Sequence, residues 1–383
     1  MHHKMRSGSR TLLAFASVLM LSAPAYAVPE PGEYQVGFIT DSTGALAFAG
    51  LSYTRGAELA AEEISSTAYM GPGTRLKLVV KEAGGDAARS IQNFNQFAAD
   101  RSIVASSCCI LSAIAGSLKP IAATAKLPLI IYGATAPGLP QAPYVYSVTG
   151  LPGPEEVQMS KDIAARLKPK TAVYFVPADN DAFVNRMKAS QAELEGSGVK
   201  TAGVINTLNA DTDFTGPVTQ AIALKPDVVM VFCTQSPSAS IIAALRARGY
   251  TGTIAANDSI SPPGVFKRVG AALAGIPFPT NFDPAISSNA EAKAFTTAYE
   301  KKFGTAPDLY SAQGYTAIFL IAQGLKSLDG KPGREALGEA LAKVTAVAHN
   351  VYGGLPVMNG QAQMNETLIV AWTADGKIVR WQP

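Results

Sequence analysis

Short apolar runs of strand length alternate with helical stripes from Tyr34 onward, pause at a proline-rich break, and then alternate again. "YQVGFIT" (34–40) reads as a strand, and the stretch from Tyr53 to Ile64 as a helix with Gly56, Ala60 and Ile64 on one face. "RLKLVVKE" is the next strand, and the helix after it sets Ile91, Phe94 and Phe97 along one side. "SIVAS" is a strand, Ser112 to Ala125 a helix striped by Ile114, Leu118, Ile121 and Ala125, and "LPLIIY" another strand. A βαβα rhythm of this kind implies a mainly parallel sheet covered by helices on both faces.

The break "GLPQAPYVYSVTGLPGPEE" separates this lobe from a second one of the same style. There "TAVYFVP", "KTAGVIN", "DVVMVF" and "GTIAAN" read as strands, with helices over Phe183 to Glu195 and Ser238 to Arg248. A second break, "GIPFPTNFDP", precedes two more helical patterns, and the chain closes on two strands around the Asp375-Gly376 turn. The fold class expected is α/β, with two similar doubly wound lobes. The helices after the second break continue the style of the first lobe, which favours two halves of one clamshell over two separate domains. The expected boundaries are residues 28–148 and 281–345 for lobe 1, and 149–280 and 346–383 for lobe 2.

The first 27 residues carry a different message. Lys4, Arg6 and Arg10 precede the apolar run "TLLAFASVLMLSAP", and Ala25-Tyr26-Ala27 supplies a small-x-small cleavage pattern, so an export leader ending at Ala27 is expected. The run is too short and too interrupted to span a membrane. Those three basic residues account for the formal charge of +3: without them, 29 Lys and Arg balance 29 Asp and Glu. A neutral mature surface gives no electrostatic footprint for nucleic acid or an anionic membrane. No nucleic-acid partner is expected.

Catalysis is argued against by what is missing. Past the leader only His349 remains, so neither a histidine-rich metal site nor a Ser-His-Asp arrangement away from that residue can be assembled. G-x-S-x-G, the phosphate-binding P-loop and a dinucleotide G-x-G-x-x-G after a strand are all absent. The expectation is no catalytic residue, no metal and no cofactor. Cys108 and Cys109 have no basic neighbour in their loop to form a thiolate, and adjacent residues hold their side chains badly for a bridge. With Cys233 they are expected to be small packing residues.

Ligands of such sheets bind beyond the carboxyl ends of the strands, so the loops there are the ones that matter. Leu111 and Ser112 sit where a loop becomes a helix. Ser112 reads as an N-cap whose neighbours expose unpaired N–H groups, a natural seat for a carboxylate. Gly133, Ala134 and Thr135 follow the next strand and bring a hydroxyl and backbone groups to the same spot. From the other lobe, Asp258 follows "GTIAAN" and is the carboxylate placed to meet an ammonium. Phe183 and Phe48 are candidate apolar walls.

These residues resemble a known family. "QVGFITDSTGALAFAGLSYTRGAELAAEEIS" and "CCILSAIAGSLKPIAATAKLPLIIYGATAPGL" look like the opening and the serine loop of type I periplasmic solute-binding proteins of ABC importers, the branched-chain amino-acid group. "PDVVMVF", "LRARGY" and "SAQGYTAIF" keep the register over the mature chain. The resemblance implies a clamshell with a three-segment hinge, a small-molecule ligand enclosed between the lobes, a permease in the inner membrane as partner, and a monomer in the periplasm. It places the ligand carboxylate at Ser112, Ala134 and Thr135, an aromatic at Phe183 and the ammonium at Asp258. Thr234 and Gln235 stand where leucine-type binders carry a ring, which leaves an aromatic or other non-amino carboxylate, or an amide, as the alternative guest. A ligand sensor for a regulatory partner is the rival use of the fold.

Overall fold

The computed structural model describes residues 1–2, 28–151, 153–364 and 367–382; the expected export leader lies, from residue 3 on, outside them. The first lobe begins with β1 (Gly32–Thr40), α1 (Ala47–Ser66), β2 (Thr74–Glu82), α2 (Ala87–Ala99), β3 (Ile103–Cys108), α3 (Ser112–Ala125), β4 (Leu129–Ile131) and β5 (Val145–Ser147). The chain then crosses over. It builds α4 (Pro154–Leu167), β6 (Thr171–Pro177), α5 (Asp181–Gly196), β7 (Lys200–Thr207), α6 (Thr215–Ala223), β8 (Val228–Val231), α7 (Gln235–Ala247), β9 (Thr253–Ala256), α8 (Pro263–Val269) and β10 (Pro277–Thr280). It returns for α9 (Ala290–Phe303), α10 (Leu309–Lys326), α11 (Arg334–Ala342), β11 (Val357–Met358) and β12 (Gln361–Ala362), and finishes with β13 (Leu368–Trp372) and β14 (Ile378–Arg380).

The strands of the first lobe form one sheet in the order β11-β12-β5-β4-β3-β1-β2, parallel except where β11 turns back on β12. Those of the second form a parallel sheet, β7-β6-β8-β9, beside an antiparallel β10-β13-β14. The terminal hairpin thus finds its edge on β10, a strand inside a stretch whose prolines read as a break. Sheet membership also keeps residues 357–362 with the first lobe, so the last crossing falls after Ala362 and not at the 345/346 boundary read from the sequence.

Alternation along the strands builds a core on each face. In β1, Val36 and Phe38 join Tyr53, Ala57 and Ile64 of α1 and the length of α10, while Ile39 joins Phe94 and Phe97 of α2 and Ile114 and Leu118 of α3. Helix α10 is buried on nearly all sides, with only Gln323 and Lys326 reaching toward solvent, as in a helix lying between others. The second lobe repeats the plan, with α6, α7 and α8 over one face and α4 and α5 over the other. Among the described residues no helix is long and apolar enough to cross a membrane. The carboxyl ends of β3 and β4 in one lobe, and of β6, β8 and β9 in the other, face a shared cleft.

Candidate functional site

The first-lobe wall begins at the end of β3. Leu111 takes the cap position with extended backbone, and Ser112 is the first residue inside α3, one place further in than the cap role read from the sequence. The first backbone N–H that α3 satisfies by itself is that of Ala115, donated to the Leu111 carbonyl at 3.1 Å, so the N–H groups ahead of it face the cleft mouth without an intrahelical acceptor. Ser112 Oγ accepts from the Ala136 N–H at 3.2 Å, which leaves its own proton to donate. This bond ties the loop after β3 to the loop after β4.

The β4 loop contributes Gly133 and Thr135 to the cleft lining. Gly133 passes so close to Tyr53 that an added Cβ would lie 2.5 Å from the Tyr53 hydroxyl oxygen, which itself donates to Gln313 Oε1 at 2.9 Å. Ala134 differs from the expectation. It is buried, its N–H is held by the Cys109 carbonyl at 2.9 Å, and its carbonyl accepts from Thr149 Oγ1 at 3.4 Å, so its backbone serves the loop and does not line the cleft.

The cysteines also depart from expectation. Cys108 and Cys109 are bonded to each other, and only Cys233 is a free thiol. The objection to a bridge between neighbours is met by the backbone: Cys109 takes φ 121°, a region that side-chain-bearing residues rarely occupy. Burial pushes the Cys233 thiol up to about 12, partly opposed by a hydrogen bond with Thr207, which keeps it protonated.

The second-lobe wall is charged. Phe183 lies in the first turn of α5, Thr234 and Gln235 start α7, and Asp258 sits in a short turn beyond β9; all four line the cleft. Asp258 is not a lone carboxylate. Arg186 Nη1, one turn along α5 from Phe183, lies 3.3 Å from Asp258 Oδ1, 2.7 Å from Glu156 Oε1 and 3.9 Å from Glu155 Oε2. All four residues are buried, and the Asp258 side chain is the most exposed of the four at 12%. Glu156 Oε2 in addition accepts from the Gly153 N–H at 3.0 Å, closing the start of α4. Three carboxylates therefore share one guanidinium. Burial pushes Glu155 up to about 8 against the pull of Arg186, and burial likewise raises Asp258. Gln235 Oε1 is buried at the same wall with no hydrogen-bond partner among the described residues.

The lobes meet around this space. Tyr310, at the start of α10, donates its hydroxyl to the Asp258 carbonyl at 3.1 Å, and Ser236 Oγ reaches the Ala45 carbonyl at 3.4 Å. Thr149, Gly150 and Asn281 line the hinge side. Phe48 is absent from the lining; its ring packs against the second-lobe core, where a Cβ on Gly264 would come within 2.6 Å of it, so it bridges the lobes at the rim. The walls enclose a void of about 50 Å3. That is well short of the ~150 Å3 that accommodates benzene in an engineered cavity.

Ser112, Leu111, Gly133, Thr135, Phe183, Thr234, Gln235 and Asp258 thus come together, and the structure adds Arg186, Glu155, Glu156, Tyr53, Tyr310 and Gln313 to them. The cleft lining contains no histidine. His349 lies outside it, its Nε2 2.9 Å from the Tyr315 hydroxyl and 3.5 Å from Glu63 Oε1.

Solved structures share this architecture. A leucine-binding protein from Thermotoga maritima is 22% identical, with a TM-score of 0.79 over 90% of this chain and 97% of its own. A branched-chain amino-acid transporter substrate-binding protein from Streptococcus pneumoniae, solved with isoleucine, is 20% identical, with a TM-score of 0.80 over 91% of this chain and all of its own (100%). A solute-binding protein of an ABC transporter from R. palustris, solved with benzoate, is 20% identical, with a TM-score of 0.80 over 91% and 95%. At such identities the likeness is one of fold. No curated protein matches the chain in sequence. The periplasmic binding protein family profile matches residues 33–377, and the chain belongs to that family.

Proposed function

We propose that the chain is the substrate-binding component of an ABC importer, exported to the periplasm, which captures an α-amino acid by hinge closure and delivers it to a membrane permease. The observation that carries this reading is the opposed character of the two walls. The first lobe offers donors suited to a carboxylate: the Ser112 hydroxyl, the Thr135 side chain and the N-terminal amides of α3. The second offers three carboxylates for one guanidinium, and the unpartnered Gln235 Oε1, all suited to an ammonium. A zwitterion complements both walls at once. Because it would touch both lobes, it stabilises the closed arrangement over the open one. Phe183 and Tyr310 are then left for the side chain.

An aromatic carboxylate is the second reading, favoured by the rings of Tyr53, Phe183 and Tyr310 in the lining and by the benzoate complex of a protein with the same fold. It leaves the three carboxylates of the acidic wall with Arg186 as their one counter-charge. The experiment is a thermal-shift screen of refolded, ligand-stripped protein against the twenty L-amino acids and a set of benzoates. Stabilisation by one or more amino acids supports the proposal; stabilisation by benzoates alone replaces it with the second reading.

A further inference from the structure

We propose that the Cys108–Cys109 disulfide is a positioning element for ligand capture, holding the first-lobe wall in its binding shape, a proposal that rests on the reading of the cleft given above. The bonded pair closes β3 and lies directly ahead of Ile110, Leu111 and Ser112, all of which line the cleft. Both cysteines are buried, 1% exposed, in one apolar cluster with Ile114 and Ala115 of α3 and Ala134 of the next loop. Their carbonyls hold the β4 side of the wall: the Tyr132 N–H donates to the Cys108 carbonyl at 3.0 Å and the Ala134 N–H to the Cys109 carbonyl at 2.9 Å. The second of these bonds is made with Cys109 at φ 121°, which an unconstrained residue with a Cβ avoids and glycine adopts freely. The covalent link to Cys108 restricts the residue that would otherwise leave that conformation. If Cys109 relaxes, its carbonyl turns away from Ala134, and the Ala136 N–H bond to Ser112 Oγ shifts with the loop. The first-lobe donors then lose their common aim.

The same geometry makes capture sensitive to thiol redox state. A dithiol reductant that reaches the bond breaks the S–S link and supplies two electrons and two protons, leaving two cysteine thiols while the reductant closes to its own cyclic disulfide.

The test compares wild type with Cys108→Ser/Cys109→Ser and Cys108→Ser/Cys109→Gly. Two readouts are taken: hydrogen exchange at the Tyr132 and Ala134 amides of ligand-free protein, and affinity for the amino acids and benzoates of the screen above. C108S/C109S is expected to exchange about tenfold or more faster at Ala134 and to bind about tenfold or more weakly. C108S/C109G, which allows the positive φ without the bridge, is expected to recover a good part of both. A merely structural disulfide would lower the melting temperature of the two variants alike and leave Ala134 exchange and affinity the same in both. That result, or wild-type exchange and affinity in C108S/C109S, overturns the proposal. Should C108S/C109S not fold, dithiol-reduced wild type takes its place against C108S/C109G, with the same two outcomes. If wild type binds nothing in the screen, the reading of the cleft fails, while the exchange measurement still decides the role of the disulfide.

Discussion

Arg186 Nη1 stands 3.3 Å from Asp258 Oδ1 in the buried second-lobe wall, and the same nitrogen holds Glu156 Oε1 at 2.7 Å. One guanidinium therefore compensates carboxylates from α4 and from the turn after β9, and joins three segments far apart in the chain. Removing it should be costly, because the carboxylates would remain buried without a counter-charge. Arg186→Met is expected to lose about 3–5 kcal/mol of stability in urea denaturation. Adding Asp258→Asn to that variant should restore part of the loss. Additive losses would mean that the two residues do not share a pair.

Glu155 sets a pH dependence. Its carboxyl moves from an ordinary 4.5 to about 8 on folding, so the folded chain binds a proton that the unfolded chain gives up between those values. The penalty is absent below 4.5, grows as pH rises, and is complete above about 8. Ligand-free protein should therefore lose stability between pH 5 and pH 8, by about 1.4 kcal/mol per pH unit from this group at most. Glu155→Gln should flatten that slope in thermal melts. A cationic group bound beside it would favour the ionised form, so affinity for an amine should rise over the same interval and proton release should accompany binding.

Two glycines set the approach of α1 to α10. A Cβ on Gly314 would fall 2.1 Å from the Tyr53 carbonyl oxygen, and one on Gly56 would fall 1.9 Å from that of Ser311. Backbone cannot yield as a flexible side chain does. Gly314→Ala should destabilise the protein by about 1–3 kcal/mol by overpacking, measured by urea denaturation. It should also weaken ligand binding, because Tyr53 lines the cleft.

Ser112→Ala separates binding from folding. It removes one hydroxyl that accepts from Ala136 and faces the cleft, so a stability loss of about 1 kcal/mol is expected, and a loss of binding of about 1.5–3 kcal/mol if the hydroxyl donates to a carboxylate. Calorimetry and denaturation on the same preparation distinguish the two. Unchanged affinity with lower stability would reduce Ser112 to a loop tie.

Much of this was legible because it is local. The stripe of Ile114 and Leu118 marks α3, whose observed start is Ser112 as read, and Asp258 follows from the rule that loops beyond strand ends carry the site. Arg186, Glu155 and Glu156 were not legible. On α5 and α4 they look like the charged faces of solvated helices, and only the packing of α4 against α5 turns them inward together. Phe48 was misplaced for a related reason: an aromatic near a strand end faces the cleft or the rim according to lobe closure, which no local pattern records. The cysteine bridge depends on a positive φ at a residue that is not glycine, and such a conformation leaves no mark in composition or periodicity. The two-residue strands β11 and β12 are too short to show an alternation at all.

On the proposed reading, a zwitterion bridges the two walls. Isothermal calorimetry on ligand-stripped protein tests it with the amino acid that scores highest in the screen, the amine that lacks its carboxylate, and the acid that lacks its amino group. The amino acid is expected to bind, and each truncated partner to bind about a hundredfold or more weakly, as losing a charge-assisted contact in a buried site requires. An acid that binds as tightly as the parent amino acid would contradict it, since the carboxylates around Arg186 would then hold no part of the guest.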